Sequence, residues 1–233
     1  GHLDGLLSAN AAHRGRRLIV TESVFSMDGD RSDLAALVAI ADRYGAALYV
    51  DEAHAVGVMG PEGRGLVAAL SPTSGKVDVV MGTLGKAFGA YGAYIAGSRA
   101  LIDFLVNRCA GFIYATALPP AVLGAVDAAL DLIPQMDTER ARLAAHAAQL
   151  RDALKAAGLD TLQSSTQIVP AIIGSEAAAL AAALSLNAAG ILAVAIRPPT
   201  VPEGTSRLRF SLNSALSDVD MDELLAAIVR LSN

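Results

Sequence analysis

One lysine stands in an otherwise uncharged stretch, "GTLGKAFG" over Gly82 to Gly89. Glycines and small apolar residues flank Lys86, an unusual setting for a side chain that normally seeks water. A lysine amine that is partly desolvated gives up its proton more readily and can then attack a carbonyl. Three residues before it comes Thr83. Upstream, "DEAHAVG" places the carboxylate of Asp51 three residues ahead of the imidazole of His54. Further upstream, "SVFSMDGD" offers the hydroxyl of Ser26 and the carboxylate of Asp28. Each of these has a bland reading when taken alone. A lysine among glycines is commonly a loop lysine. "DEAH" is also a helicase string, although the chain has no phosphate loop of the GxxxxGK[ST] kind. A lone His54 is usually a satisfied structural residue, and Asp28 and Asp30 could form a turn around Gly29. The combination is more specific than its parts.

The elements that must position these groups are legible in the hydrophobic pattern. "RLIVT" (17–21), "AALYV" (46–50) and "VDVVMGT" (77–83) are short apolar runs, read as buried strands, and "GAYIAG" (92–97) reads as a fourth. Between the first two lies "SDLAALVAIADRYG", a helix with Ser32 as N-cap, Asp33 in its first turn and Gly45 as C-cap. "SRALIDFLVNRC" is a further helix, Pro119-Pro120 opens one that runs to about Gln135, and a third spans roughly Thr138 to Ala157. After Gly158 the rhythm restarts with strand "QIVPAIIG", helix "SEAAALAAALSLNAAG", strands "ILAVAI" and "SRLRFSL", and a final helix. Ser217 and Asp220 form a capping-box pattern at the start of that last helix.

Strand-helix alternation implies a mostly parallel sheet covered on both faces, here followed by a second, smaller α/β unit. The expected division is residues 1–136 for the large domain and 137–233 for the small C-terminal one. In open parallel sheets ligands bind beyond the carboxyl ends of the strands. Asp51, Thr83 with Lys86, and Ser26 with Asp28 all follow such ends. A carboxylate just after an apolar strand needs a cationic partner, which could be Lys86 in a plain ion pair. A ligand with a protonated ring nitrogen would serve as well. Pyridoxal 5'-phosphate meets every requirement: an aldehyde for Lys86, a pyridinium nitrogen for Asp51, and a phosphate for hydroxyls and backbone N–H groups.

Composition narrows the alternatives. The 233 residues are enough for one large domain or two modest ones. With 53% hydrophobic but only 4% aromatic residues, the core is built from Ala, Val, Leu and Ile. The balance of 18 basic and 23 acidic residues, with no basic run, argues against nucleic acid as a partner. A single cysteine, Cys109, excludes an internal disulfide and fits a reducing, cytoplasmic compartment. No apolar run reaches the roughly 20 residues of a membrane helix, so no membrane partner is expected, and no metal-ligand spacing stands out.

Five segments, "TESVFSMDGD", "VDEAHAVGVMGPEGRG", "GTLGKAFGAYG", "IYATALPPA" and "AIRPPTVPEGTSRLRFSLNSAL", together resemble the α-oxoamine synthases in order and spacing. These are pyridoxal-phosphate enzymes of the aspartate-aminotransferase fold. The resemblance runs over nearly the whole chain. It implies a PLP-dependent transferase fold, with Lys86 as the lysine that carries the cofactor, Asp51 on its ring nitrogen, and His54 with Ser26 at its phenolic oxygen. Thr83 would contact the phosphate, and Thr116 would reach the phosphate in the neighbouring subunit, since the family shares its sites across a homodimer. Arg197 and Thr200 would hold substrate; the bland alternative for Arg197 is a structural salt bridge, with Glu203 for example. "AIRPPTVPEGTSRLR" is most similar to the branch that condenses L-alanine with a pimeloyl thioester of coenzyme A or a carrier protein, in biotin biosynthesis. Glycine with acetyl-CoA, a succinyl or palmitoyl donor, or a non-catalytic synthase subunit are the alternatives. Such a subunit is expected to lack the lysine, which is present here. The family's N-terminal portion, with its glycine-containing phosphate turn and stacking histidine, is not matched: His2 and His13 sit in another context. The chain therefore resembles roughly the C-terminal three-fifths of a member.

Overall fold

The computed structural model describes residues 1–71 and 75–231. The chain forms two compact units. The first comprises Gly1–Ser23 and Ser32–Asp137, the second Val24–Arg31 and Thr138–Asn233. A single cut in the sequence does not capture this division, because the short excursion after the first strand packs with the later residues.

In the first unit the elements run α1 (His2–Ala9), β1 (Leu18–Glu22), α2 (Leu34–Tyr44), β2 (Ala47–Asp51), β3 (Val79–Thr83), β4 (Ala93–Gly97), α3 (Arg99–Arg108), α4 (Ala110–Ile113) and α5 (Pro120–Leu132). The sheet has the order β1-β2-β3-β4, with β1, β2 and β3 parallel and β4 antiparallel to β3. It is therefore mostly parallel, as the alternation implies. The strands carrying Asp51 and Thr83 are neighbours: Asp51 lies in register with Met81, and Glu22 with Asp51. Ile19, Leu48 and Val50 bury one face of the sheet against Leu34, Val38 and Ala41 of α2. The other face is not fully covered, against expectation: Leu18 and Val20 of β1 are about 60% exposed.

Several local expectations are corrected. The N-cap of α2 is Asp33, whose carboxylate accepts from Ala36 N at 3.0 Å. The Ser32 hydroxyl instead donates to Glu22 O at 2.6 Å, closing the end of β1. Gly45 caps the helix in the left-handed region, φ 58°, as its position suggests. α5 stops at Leu132 and tightens into a 3₁₀ turn over Ile133–Gln135, where Pro134 cannot supply an amide for the ladder. α1 has no counterpart in the sequence reading. It is only eight residues long, contains Gly5 and lacks a side-chain cap, and its Leu3 and Leu7 gain their stability from the core beside α2.

The second unit contains α6 (Asp137–Ala156), β5 (Ile168–Gly174), α7 (Glu176–Ala188), β6 (Val194–Ile196), β7 (Ser206–Ser211) and α8 (Asp218–Leu231). Its sheet, β5-β7-β6, is antiparallel throughout, and the strand expected over 191–196 forms only at its last three residues. Buried Leu143, Leu150 and Leu154 of α6, Ile168 and Val169 of β5, Leu208 and Phe210 of β7, and Met221 and Ile228 of α8 make up its interior. At the start of α8, Ser217 and Asp220 do form the reciprocal cap: Ser217 N donates to Asp220 Oδ2 at 2.8 Å, and Asp220 N to Ser217 Oγ at 3.2 Å.

The excursion Val24–Arg31 is a tight hairpin-like clip within this unit. Val24 and Arg31 bridge, and Phe25 N donates to Asp30 O at 3.0 Å. Gly29 has φ +66°, and a Cβ there would lie 1.9 Å from Ile168 O, so only glycine fits. Thr166 Oγ1 donates to Gly29 O at 2.9 Å, Arg209 Nε donates to Ser26 O at 2.7 Å, and the buried Arg207 forms an ion pair with Asp28.

Candidate active site

The first unit gathers four of the expected site residues beyond the carboxyl ends of β2 and β3. Asp51 is the last residue of β2. Its Oδ1 accepts from Ala53 N at 2.7 Å, and its carbonyl accepts from Ser23 N at 2.9 Å. The chain then turns: Ala55 N and Val56 N both donate to Glu52 O, at 2.8 and 2.9 Å, and His54 rides on that turn. From the neighbouring strand, Thr83 leads into a loop closed by Leu84 N to Gly92 O at 2.8 Å, Ala90 N to Leu84 O at 2.9 Å and Gly89 N to Lys86 O at 2.9 Å. Lys86 projects from this loop, and its Nζ lies 2.9 Å from His54 Nε2.

That contact replaces the plain ion pair between Lys86 and Asp51. Asp51 has turned one oxygen to its own backbone, and Lys86 has turned to an imidazole. An ammonium can donate to a neutral imidazole nitrogen, and a neutral amine can accept from a ring N–H, so this pair can pass a proton in either direction. The Thr83 hydroxyl donates to Gly92 O at 3.2 Å and accepts from Gly85 N at 3.3 Å, which fixes its rotamer at the mouth of the loop. Asp51 also acts on its surroundings: burial first, and then this carboxylate, push the Tyr49 hydroxyl above its ordinary pKa.

Space beside Lys86 is provided by glycines. A Cβ on Gly85 would meet nothing nearer than 3.7 Å, and one on Gly89, where φ is +60°, nothing within 4 Å. Lys86 itself is exposed, and the donor set fits pyridoxal 5'-phosphate: an amine for an aldehyde, a strand-end carboxylate for a ring nitrogen, an imidazole, and a hydroxyl with adjacent N–H groups for a phosphate. Among the described residues there is no group of three or more His, Cys, Asp or Glu that could hold a metal ion. Nor is any helix among them long and apolar enough to cross a membrane.

Thr116 is exposed, in the stretch between α4 and α5. Two residues on, Leu118 packs by the Lys86 loop, where a Cβ on Gly92 would come within 3.2 Å of it. Ser26, Arg197 and Thr200 belong to the second unit. Ser26 sits on the clip. Arg197 is 43% exposed and lies 3.7 Å from Glu176, so its ion-pair neighbour is not Glu203. Thr200 N donates to Arg197 O at 3.1 Å, a turn that holds the two residues together.

One residue of the site was not singled out in the sequence. Glu52 is 1% exposed, yet both carboxylate oxygens are engaged: Oε2 accepts from Leu66 N at 2.8 Å and Oε1 from Val67 N at 2.9 Å. Burial raises its pKa, the charge on Asp51 adds to that, and the two backbone N–H groups and the Ser23 hydroxyl work against it. That hydroxyl is buried and has no hydrogen-bond partner in good geometry, so its hold on Glu52 is weaker than that of the two backbone N–H groups. A signal was present in "VDEAHAVGVMGPEGRG": an acidic residue embedded among apolar ones, followed by glycines at 57, 60, 63 and 65.

Comparison with known proteins shows which family the fold belongs to. An 8-amino-7-oxononanoate synthase of Gluconacetobacter diazotrophicus is 58% identical over 228 residues, which is 98% of this chain and 56% of that protein. The chain thus spans little more than half the length of the curated relatives it matches. Among solved structures, a serine palmitoyltransferase of Sphingomonas wittichii is similar with TM-score 0.90 and 28% identity, over 97% of this chain and 57% of that one. A high-resolution structure of SPT with PLP internal aldimine gives the same TM-score and identity over 98% and 58%. An 8-amino-7-oxononanoate synthase from Francisella tularensis gives 0.80 and 29% over 96% and 65%. These neighbours indicate pyridoxal 5'-phosphate as the cofactor. A family model described as aminotransferase class I and II matches residues 2–228, nearly end to end, and the chain belongs to that family.

Proposed function

We propose that this chain carries the reactive lysine and ring-nitrogen carboxylate of an α-oxoamine synthase, and that the reaction is the decarboxylative condensation of L-alanine with a pimeloyl thioester to 8-amino-7-oxononanoate, in biotin biosynthesis. The observation that carries the reading is the 2.9 Å contact between Lys86 Nζ and His54 Nε2 beside the strand-end Asp51. Bound pyridoxal 5'-phosphate supplies an electron sink for the charge left when the α-proton departs. Lys86 Nζ holds the cofactor and then takes that proton from alanine, with His54 beside it to share the positive charge. Asp51, with one oxygen tethered to Ala53 N, presents the other to a cationic ring nitrogen. Thr83, and Thr116 from a second copy in a homodimer, bind phosphate; Ser26 joins His54 at the phenolic oxygen. Arg197 is loosely held at 3.7 Å from Glu176 and is therefore available for a substrate carboxylate, with Thr200 beside it. The acyl carbonyl accepts the alanine α-carbon, the thiol leaves, and carbon dioxide is lost. A cytoplasmic setting suits the single cysteine.

Serine palmitoyltransferases are the structural neighbours with the higher TM-scores, so serine with a palmitoyl thioester is the second reading. The 58% identity to an 8-amino-7-oxononanoate synthase, against 28% here, favours the first. Turnover of paired amino acids and thioesters by the protein that contains this chain decides between them. Alanine with pimeloyl thioester is expected to be the fastest pair; faster turnover with glycine and acetyl-CoA, or serine and palmitoyl-CoA, would overturn it.

A further inference from the structure

We infer that Glu52 is a positioning residue for the Lys86–His54 pair, acting through the loop that its carboxylate clamps. The inference rests on the reading that Lys86 carries the cofactor. Glu52 joins three parts of the first unit at one point. Its backbone N donates to Met81 O at 2.8 Å, on the strand that leads to Lys86. Its carbonyl starts the turn that bears His54. Its carboxylate accepts from Leu66 N and Val67 N, at the far end of the glycine-rich segment.

That segment is folded back on itself. Gly57 N donates to Gly63 O at 2.6 Å and Gly65 N to Met59 O at 2.9 Å. The carboxylate lies against the α-carbon of Gly65, where φ is +91° and a Cβ would stand 1.8 Å from Oε2. At the other end of the segment, a Cβ on Gly57 would lie 2.4 Å from Ala87 Cβ, the residue directly after Lys86. The clamp at residues 65–67 thus sets the height of Gly57, and Gly57 is the floor against which the Lys86 loop rests. A buried carboxylate without a cationic partner is costly unless its hydrogen bonds are kept, so the clamp is held firmly.

Glu52 touches neither Lys86 nor His54 in any bond described above, so its effect must appear as a coupling, and a coupling between two sites is reciprocal. If the clamp positions Lys86, occupying Lys86 must tighten the clamp. In the wild-type protein that contains this chain, amide exchange at Leu66 and Val67 is measured before and after loading with pyridoxal 5'-phosphate. Exchange should slow by about tenfold on loading, within the usual range of coupling free energies. In parallel, borohydride trapping is read by peptide mass spectrometry as the ratio of label on Lys86 to label on Lys155. Glu52→Gln offers one carbonyl oxygen and an NH₂ group to two N–H donors and so loses one bond; its Lys86 ratio should fall about tenfold, the same coupling seen from the other side. Unchanged exchange at Leu66 and Val67 on loading, or an undiminished ratio in folded Glu52→Gln, overturns the inference while leaving Lys86 as the cofactor residue. A wild-type ratio with no preference for Lys86 overturns both.

Discussion

The loops beyond β2 and β3 and the strand β7 use their charged side chains in opposite ways. Beyond β2 and β3, Asp51 keeps one carboxylate oxygen uncommitted, Lys86 and His54 face each other on separate loops, and Lys86 is exposed. On β7 of the second unit, Arg207 and Arg209 are spent on structure. Arg207 is 5% exposed and holds Asp28, Thr205 O and Thr205 Oγ1; Arg209 holds Ser26 O and Ser211 Oγ. Burial lowers the pKa of Arg209, a sign that its guanidinium is held in place at some electrostatic cost. A charged side chain on a strand is therefore not by itself a sign of reactivity; the uncommitted oxygen of Asp51 and the exposed Lys86 are what single out the first region.

Substitutions on the two sides should therefore fail in different ways. Arg207→Met leaves Asp28 without its cation and frees the clip. Because Asp28 is one-third exposed and can recover water, the loss falls at the low end for broken buried pairs, about 3 kcal/mol of stability. Denaturant unfolding measures it, and a loss below the error of the method would erase the contrast. Asp51→Asn should do the reverse. The amide oxygen can still accept from Ala53 N, so unfolding is nearly unchanged, while α-proton exchange of L-alanine slows by about a hundredfold as the fixed negative charge is removed.

Glu52 shares features of both, since it is buried like Arg207 but lies next to Asp51 in the first unit. Its pKa is raised by burial, so over the interval above the ordinary 4.5 the folded chain retains a proton that the unfolded chain has released. Stability from this group is therefore greatest below that value and declines as pH rises through the folded-state pKa, by at most about 1.4 kcal/mol per pH unit. Comparing melting of wild type and Glu52→Gln as pH is raised from below the ordinary value isolates the slope, because groups common to both proteins cancel. Parallel curves would show that Glu52 does not titrate there. The smallest change is at the start of α8: Ser217→Ala removes one half of the reciprocal cap and should cost about 1 kcal/mol of stability, with no change in cofactor trapping.

Much of the first unit was legible because its signals are local. The apolar runs, Gly45 and the Pro119-Pro120 pair state their own conformations, and the carboxyl-end rule then places Asp51, Thr83 and Lys86 together. What escaped depends on contacts between distant residues. α1 gains its stability from packing rather than from capping. The N-cap passed from Ser32 to Asp33 because the serine hydroxyl was claimed by Glu22 O. Glu52 resembled any acidic neighbour of Asp51 until residues 66 and 67 came back to meet it. The assignment of Val24–Arg31 to the second unit rests on arginines about 180 residues later, which no local pattern announces.

The central claim, that Lys86 is the residue that carries the cofactor, is tested most directly by mapping where it can be trapped. The chain has three lysines, Lys76, Lys86 and Lys155, so two internal controls are present. Lys76 is committed to Asp78 at 2.8 Å. The protein is incubated with pyridoxal 5'-phosphate, reduced with borohydride, digested and analysed by mass spectrometry. The account predicts the label on Lys86, with Lys86→Ala losing it and all turnover. Label found chiefly on Lys76 or Lys155, with Lys86 unmodified, would contradict it.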